Sequence, residues 1–531
     1  MLQCTTPEPG RARRLRMHCP GHRLAPKLPF WGRELGVAGP DAEVLAVLES
    51  VGLAVLAARF AAEDIDGRTL WSLQEDDLAE LGLDAGQRAV LLERLKSGGA
   101  ARLGDNVPAP LAVAAAEAAL QRSAIAEAAG FLRQAKTALG RMGDTEQADA
   151  LRLRALIARS SIARVQQGIA SDEAGRLGRE VLALAQKLRE SRAELMALTG
   201  LYTHALVRAE YFVAGKWAEL LCERAEQARD PTFRMIGRRG MGVVALHTGA
   251  LTQAVMALEE ALESYDEAQH LPLAYAHGYD HAEICAAFLS IALWITGDPA
   301  EARKVSAFSV SHARRIGHMH SLAQALVFRA MLMALAEDWE DCRAAARDGE
   351  ELGRQHGLEV MGTACSFFGT VAEACLAPPA PGAAELKALR RSHEAFRRVN
   401  PYNYQQVCGL LLARLHLRSG GWNDAADALD QAEAVQARTR ESFLVPELMR
   451  MRAQLLAATG EERRAQDQRM AALQAAGRMG APMFTLRIAC DMAEHAPSAE
   501  TRAQLASARA RLASDDGGAD LIRCARLLGE A

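Results

Sequence analysis

Aromatic residues are scarce: Phe, Trp and Tyr together make up 5% of the 531 residues. Large sheet proteins draw on aromatic and β-branched strands, and no β-rich segment is present here. Half the chain is hydrophobic, and Ala, Leu, Arg and Glu dominate by eye, which favours helix throughout. No C-x-x-C pair occurs among the ten cysteines. Most sit among small apolar neighbours in helical patterns, as Cys285, Cys342, Cys365 and Cys490 do. That predicts buried, reduced thiols and a cytoplasmic setting. Long apolar runs are missing too. The best uncharged stretch, Ile284–Ile295, has 12 residues and includes Ser290; a membrane span needs about 20.

Charge of one sign is lacking over most of the chain. Residues 1–40 carry +5 and residues 41–96 carry −7, which leaves −2 of the total −4 for the remainder. A near-neutral surface does not suit phosphate backbones, so nucleic acid is not an expected partner. A phosphate-cradling loop is absent. The one Gly-Lys pair, Gly215-Lys216, is followed by Trp217 and preceded at the required glycine position by Glu210. No G-x-S-x-G elbow appears either. A non-catalytic chain without metal or cofactor is expected.

What is present is a recurring phrase. Gly249 is followed by Ala254 and Ala261. The first interval returns as Gly297 and Ala302, Glu337 and Cys342, Gly420 and Ala425, and Gly460 and Ala465. The phrases start 48, 40, 83 and 40 residues apart, the third interval being two repeats. A repeat near 40 residues with two amphipathic patterns predicts stacked helical hairpins. One helix ends on the turn residue, and the next presents a small side chain where two backbones approach. Trp217, Trp339 and Trp422 each sit two residues after a junction position, with core packing as their plain reading. In this phrase the array, residues 111–531, resembles tetratricopeptide repeats. Its period is longer than that family's, and several expected aromatics are missing.

Residues 1–40 carry six prolines and no periodicity, so a disordered basic segment is expected, with Met17 as an alternative start. Arg13-Arg14 lacks the apolar core of an export signal. Cys4, His18, Cys19 and His22 fit no zinc spacing. Residues 41–96 form short amphipathic helices. Phe60, Ile65-Asp66-Gly67, Leu70, Leu73, Glu75-Asp76-Asp77-Leu78, Leu81-Gly82-Leu83 and Gly86-Gln87-Arg88 resemble a sterile alpha motif (SAM) domain. Val47 and Leu56 stand where that family usually has Trp and Tyr. The resemblance implies a five-helix bundle that associates with proteins, itself included. Its acidic surface would be Glu63, Asp64, Asp66, Glu75, Asp76, Asp77 and Glu80, and its basic surface Arg88, Arg94 and Lys96. Residues 97–110, rich in Gly and Pro, read as a flexible linker.

Wording inside the array carries a further resemblance. Ala116–Ser123, Gly278-Tyr279-Asp280 before Ala292-Leu293-Trp294, Ile316-Gly317-His318, and Pro446-Glu447-Leu448 are similar to the C-terminal helices of large bacterial signalling proteins. Those carry a SAM domain, a class III nucleotidyl cyclase and a P-loop ATPase before such an array. This chain has the two outer parts without the inner two, and no paired aspartates in a sheet context supply a cyclase centre.

One polar cluster stands out: Tyr275, His277, Tyr279, Asp280 and His281, with Glu283 and Cys285 beyond. His277 and His281 would share a helical face, but Gly278 lies between them and the zincin Glu is missing. A polar groove at a helix entry is the expectation, and His318 with His320 reads the same way. The whole predicts an all-α chain, a SAM bundle tethered to a tetratricopeptide-like solenoid. Its concave face would hold a peptide or protein partner, making it a signalling scaffold or a regulatory part acting in trans on a cyclase–ATPase.

Overall fold

The computed structural model describes residues 42–63, 65–70, 73–96, 107–122, 124–377, 380–515 and 517–530. The segment 1–40 lies outside them, as do residues 97–106 of the expected linker. Among the described residues every regular element is helical. Five short α-helices come first: α1 (Ala42–Ser50), α2 (Ala57–Ala62), α3 (Gly67–Leu70), α4 (Glu75–Glu80) and α5 (Ala85–Lys96). Val44, Val47, Leu48, Phe60, Leu70, Leu78 and Leu91 are buried between them.

These helices are not an isolated bundle on a tether. Val107, Leu111, Ala112 and Val113 belong to the same apolar cluster. The next helix, α6 (Ala109–Gln121), starts inside the segment expected to be linker. Pro110 does not stop it, because a proline in the first turn gives up an N–H that would have no helical partner.

Antiparallel hairpins follow. The first four pair α6 with α7 (Ile125–Leu139), α8 (Glu146–Gln167) with α9 (Asp172–Leu188), α10 (Ser191–Val207) with α11 (Tyr211–Ala228), and α12 (Pro231–His247) with α13 (Leu251–Glu263). A lone helix, α14 (Glu267–His277), comes next. Six more hairpins start at α15 (His281–Ile295) with α16 (Pro299–Ile316), then α17 (Met319–Leu335) with α18 (Trp339–His356). They continue as α19 (Glu359–Leu376) with α20 (Ala383–Val399), α21 (Gln405–Arg418) with α22 (Trp422–Thr439), and α23 (Val445–Ala458) with α24 (Glu462–Met479). The last pairs α25 (Pro482–His495) with α26 (Ala499–Arg509), and α27 (Ala519–Leu528) closes the array.

The recurring phrase is the hairpin turn. Ala209, Gly249, Gly297, Glu337, Gly420 and Gly460 all have φ between 55° and 91°. After each, the next N–H reaches back five residues, as Asp298 does to the Leu293 carbonyl at 2.9 Å. This is the left-handed helix stop that glycine makes least costly. Five residues on, Ala214, Ala254, Ala302, Cys342, Ala425 and Ala465 have no exposed surface. The turn at Ala209 lacks glycine and was invisible in the sequence. It also corrects the tryptophan reading: Tyr211, not Trp217, holds the place of Trp339 and Trp422, and Trp422 is 38% exposed. The 48-residue interval has an equally concrete cause, because α14 is the insertion.

The array curls until distant turns meet. Ser442 N–H donates to the His247 carbonyl at 2.7 Å, and Ala513 N–H to that of Gly297 at 2.7 Å. Trp294 meets Phe484 edge-on at 5.8 Å, and Phe328 meets Tyr404 in the same way at 5.8 Å. Every residue of α15 is buried. The concave face expected to lie open is here filled by the chain's own later helices, because α15 beyond Glu283 and most of α17 carry apolar residues on every side and need cover on both sides.

A buried ion network fastens the closure. Arg487 donates to both Asp520 oxygens at 2.8 Å, to Glu447 at 3.1 Å and to the Leu335 carbonyl at 2.5 Å. Its guanidinium lies 4.8 Å from the Trp294 ring centre. Arg450 bridges Glu447 and Asp491 at 2.7 and 3.0 Å.

Candidate functional site

The expected groove residues do come together, at the joint between α14 and α15. Gly278 ends α14 at φ 84°, and Asp280 caps α15, its carboxylate accepting the Glu283 N–H at 2.9 Å. Asp280 is fully buried and well partnered. Tyr265 hydroxyl donates to it at 2.7 Å, His312 Nε2 lies 2.9 Å away, and its N–H donates to Ser321 Oγ. Burial would raise its carboxyl, but the bonds from His312, the Glu283 backbone and Tyr265 hold it below the ordinary carboxylate range. Asp280 is thus a structural hub, and His318 continues it by contacting Ser321 Oγ at 2.9 Å.

His277 and His281 occupy two different helices, not one face of a single helix, yet their rings meet at 2.9 Å, Nδ1 to Nε2. Tyr279 packs against both, at 6.4 and 5.5 Å between ring centres. Tyr275 is half exposed and meets His318 edge-on, with 5.2 Å between ring centres. Burial, with the charges of Arg239 and Arg164, pushes the His277 imidazole down to about 4. Burial first, then the charges of Arg239, His277 and His270, hold His281 well below its ordinary value. No group of three or more His, Cys, Asp or Glu among the described residues could hold a metal ion.

The residues that give this place its chemistry are partly ones the sequence did not flag. Arg239, on α12, is 2% exposed and donates to the Tyr279 hydroxyl at 3.1 Å. Its guanidinium lies 5.0 Å from the Tyr279 ring centre and 5.7 Å from that of Tyr202 on α10. Glu283 has no exposed surface. Burial, then the Asp280 charge, pushes its carboxyl well above the ordinary range, with Arg239 pulling the other way. Several buried atoms here have no hydrogen-bond partner: both Glu283 carboxylate oxygens, Arg239 Nε, Tyr202 hydroxyl and His281 Nδ1. Each such atom costs about 1–3 kcal/mol in a folded chain, and most buried polar groups avoid it. Arg239 and Tyr202 sit mid-helix, where only the fold reveals that Arg239 lies against the rings of both Tyr202 and Tyr279.

The expected association surfaces lie on the first helices. Glu63, Glu75, Asp76, Asp77 and Glu80 are exposed, while Asp64 falls outside the described residues. Two acids are engaged as caps: Asp66 accepts from Thr69 N–H at 2.8 Å, and Asp77 from Gln74 N–H at 2.7 Å. On the basic side Arg88 donates to the Leu83 carbonyl at 2.7 Å. Arg94 is half-buried, and the Lys96 side chain is outside the described residues.

No helix among the described residues is long and apolar enough to cross a membrane. The sequence matches no known protein-family model. An uncharacterized protein of Rhizobium meliloti (strain 1021) is 25% identical over 365 residues, 67% of this chain. The match spans 34% of that relative's length. Among solved structures the chain is similar to a Rap protein complexed with competence and sporulation factor (TM-score 0.48, 11% identity, 70% of this chain and 98% of that one). It is also similar to a signal transduction ATPase with numerous domains and a tetratricopeptide repeat sensor from Pyrococcus horikoshii (0.39, 15%, 71% and 55%). A human IFIT1 dimer with m7Gppp-AAAA gives 0.38 at 13%, over 78% and 88%.

Proposed function

We propose that the chain is a non-catalytic interaction module of cytoplasmic signalling, in which the helical array holds a peptide or protein partner. One observation carries the reading. Unpaired, buried polar atoms gather on neighbouring helices α10, α12 and α15, where something other than the chain can complete them. The helices at 42–96 act in this reading as a SAM domain, whose acidic α4 meets the basic start of α5 on another copy. Such a heterologous contact gives open chains or rings and weakens with salt.

Two measurements test it. The intact chain, immobilised, should retain one defined protein or peptide through repeated washes, and purified chain should show no turnover of ATP or GTP. Sedimentation should show association that falls between 0.05 M and 1 M salt and is lost in Asp76→Lys. A monomer at all salts removes the SAM role.

A second reading is favoured by one finding, that the Rhizobium relative is about three times as long as the matched stretch. In it the chain is the regulatory part of a larger cyclase–ATPase signalling protein, or acts on one in trans. Co-purification of such an enzyme with this chain, with its rate altered, would establish it.

A further inference from the structure

The unpaired atoms at the α14–α15 joint have a pattern. Glu283 supplies two acceptor oxygens and Arg239 a donor N–H, and the two side chains attract without bonding to each other. Tyr202 hydroxyl and His281 Nδ1 add two more unpaired groups. All four side chains are more than nine-tenths buried. A buried carboxyl and a buried guanidinium N–H, both unpaired, suit a ligand that carries both complements a few bonds apart.

We infer that Glu283 and Arg239 together recognise an α-ammonium group and its adjoining carbonyl oxygen, the chemistry shared by a free α-amino acid and the first residue of a peptide. The ammonium donates to the Glu283 oxygens, and the carbonyl or carboxylate oxygen accepts from Arg239 Nε. A ligand ammonium supplies there what a proton supplies in the empty site, since burial favours the neutral acid of Glu283.

Access follows from the one departure from the repeat. Helix α14 is the inserted element, and it leads through Gly278 and Tyr279 directly into the first turn of α15. A Cβ at Gly278 would meet nothing within 4 Å, and its φ of 84° favours glycine. On the outer side α14 is held by the exposed pair of Arg315 and Glu267. Displacing α14 about Gly278 would break the contacts of His270 with Thr232 and of His277 with His281, and would open the way to His281 and Glu283.

This inference rests on the interaction reading above, and thermal unfolding of the full chain tests it. Three probes are used: a mixture of the twenty α-amino acids, a mixture of tripeptides with free amino termini, and the same tripeptides N-acetylated. Either free-amine probe at 10 mM should raise the melting temperature by about 3 °C or more over a salt-matched control. A rise with amino acids points to the free species, and a rise with tripeptides alone points to a peptide terminus. The acetylated set should do nothing. Tyr202→Phe removes an unpaired hydroxyl, and Glu283→Gln exchanges one unpaired oxygen for an amide nitrogen; neither breaks a bond, so both fold. Glu283→Gln should weaken the response at least tenfold, and Tyr202→Phe should reduce it less. No rise with either free-amine probe, an equal rise with acetylated peptides, or a rise unchanged in Glu283→Gln overturns the inference. If none of the probes acts and the intact chain still retains a protein or peptide partner, the interaction reading stands and only this site falls.

Discussion

Glu441 and His247, 194 residues apart in sequence, meet in a buried hydrogen bond of 2.7 Å between Oε1 and Nδ1. Tyr211 hydroxyl donates to the same oxygen at 3.1 Å, and its ring stacks on His247 at 4.2 Å. Glu441 thus joins the turn after α22 to two hairpins near the start of the array. Glu441→Ala leaves two buried groups unpaired and should lower stability by roughly 3 kcal/mol. Glu441→Gln keeps an acceptor oxygen and should cost under about 1 kcal/mol. Urea titration of both variants checks this, and equal losses would mean the bond does not hold the closure.

Acid should loosen the same closure through Glu337. Burial would raise its carboxyl, but Arg414, which grips both oxygens, and Arg487 at 3.6 Å hold it at about 2. The folded value lies below the unfolded one of about 4.3, so the stabilisation is full above that pH. It is lost as pH falls toward 2. The stability gap between the natural chain and Glu337→Gln should therefore shrink from pH 5 to pH 2. A gap constant over that range contradicts the assignment.

His277 titrates in a different window with the same sign. Its folded value of about 4 lies below the unfolded value of about 6.5, so the unfolded chain takes up the proton first. Stability from this group falls as pH drops from about 6.5 to 4. The ring's own NMR titration should have a midpoint near 4, rising in Arg164→Gln. A midpoint at 6 or above would show that the ring is open to water.

A close approach of two helix backbones makes a paired test. A Cβ at Gly353 would lie 2.6 Å from Gly362 Cα, whereas one at Gly362 would meet nothing closer than 3.5 Å. Both lie within helices, α18 and α19. Gly353→Ala should destabilise by about 1–3 kcal/mol, because one backbone must move off the other. Gly362→Ala should be neutral or stabilising by up to about 1 kcal/mol. Similar losses in both would show that the contact is looser than this geometry.

What the sequence determined by itself is local and periodic. Helix is dictated by composition and 3.6-residue patterning, and the hairpin repeat by a turn residue and a small residue five positions apart, as at Gly297 and Ala302. A backbone stop and a close approach act within one hairpin, so they leave a mark at fixed spacing. The cluster of Tyr275, His277, Tyr279, Asp280 and His281 was legible because the residues adjoin in sequence. Only the tertiary structure decided the rest. It showed that the array curls until Glu441 reaches His247, that α1 packs over Leu111, and that Arg239 lies against the rings of Tyr202 and Tyr279. It left Glu283 buried without a partner. These facts depend on the sum of small rotations between successive hairpins. No short pattern encodes that sum, and a difference of a few degrees per repeat separates a closed array from an open one.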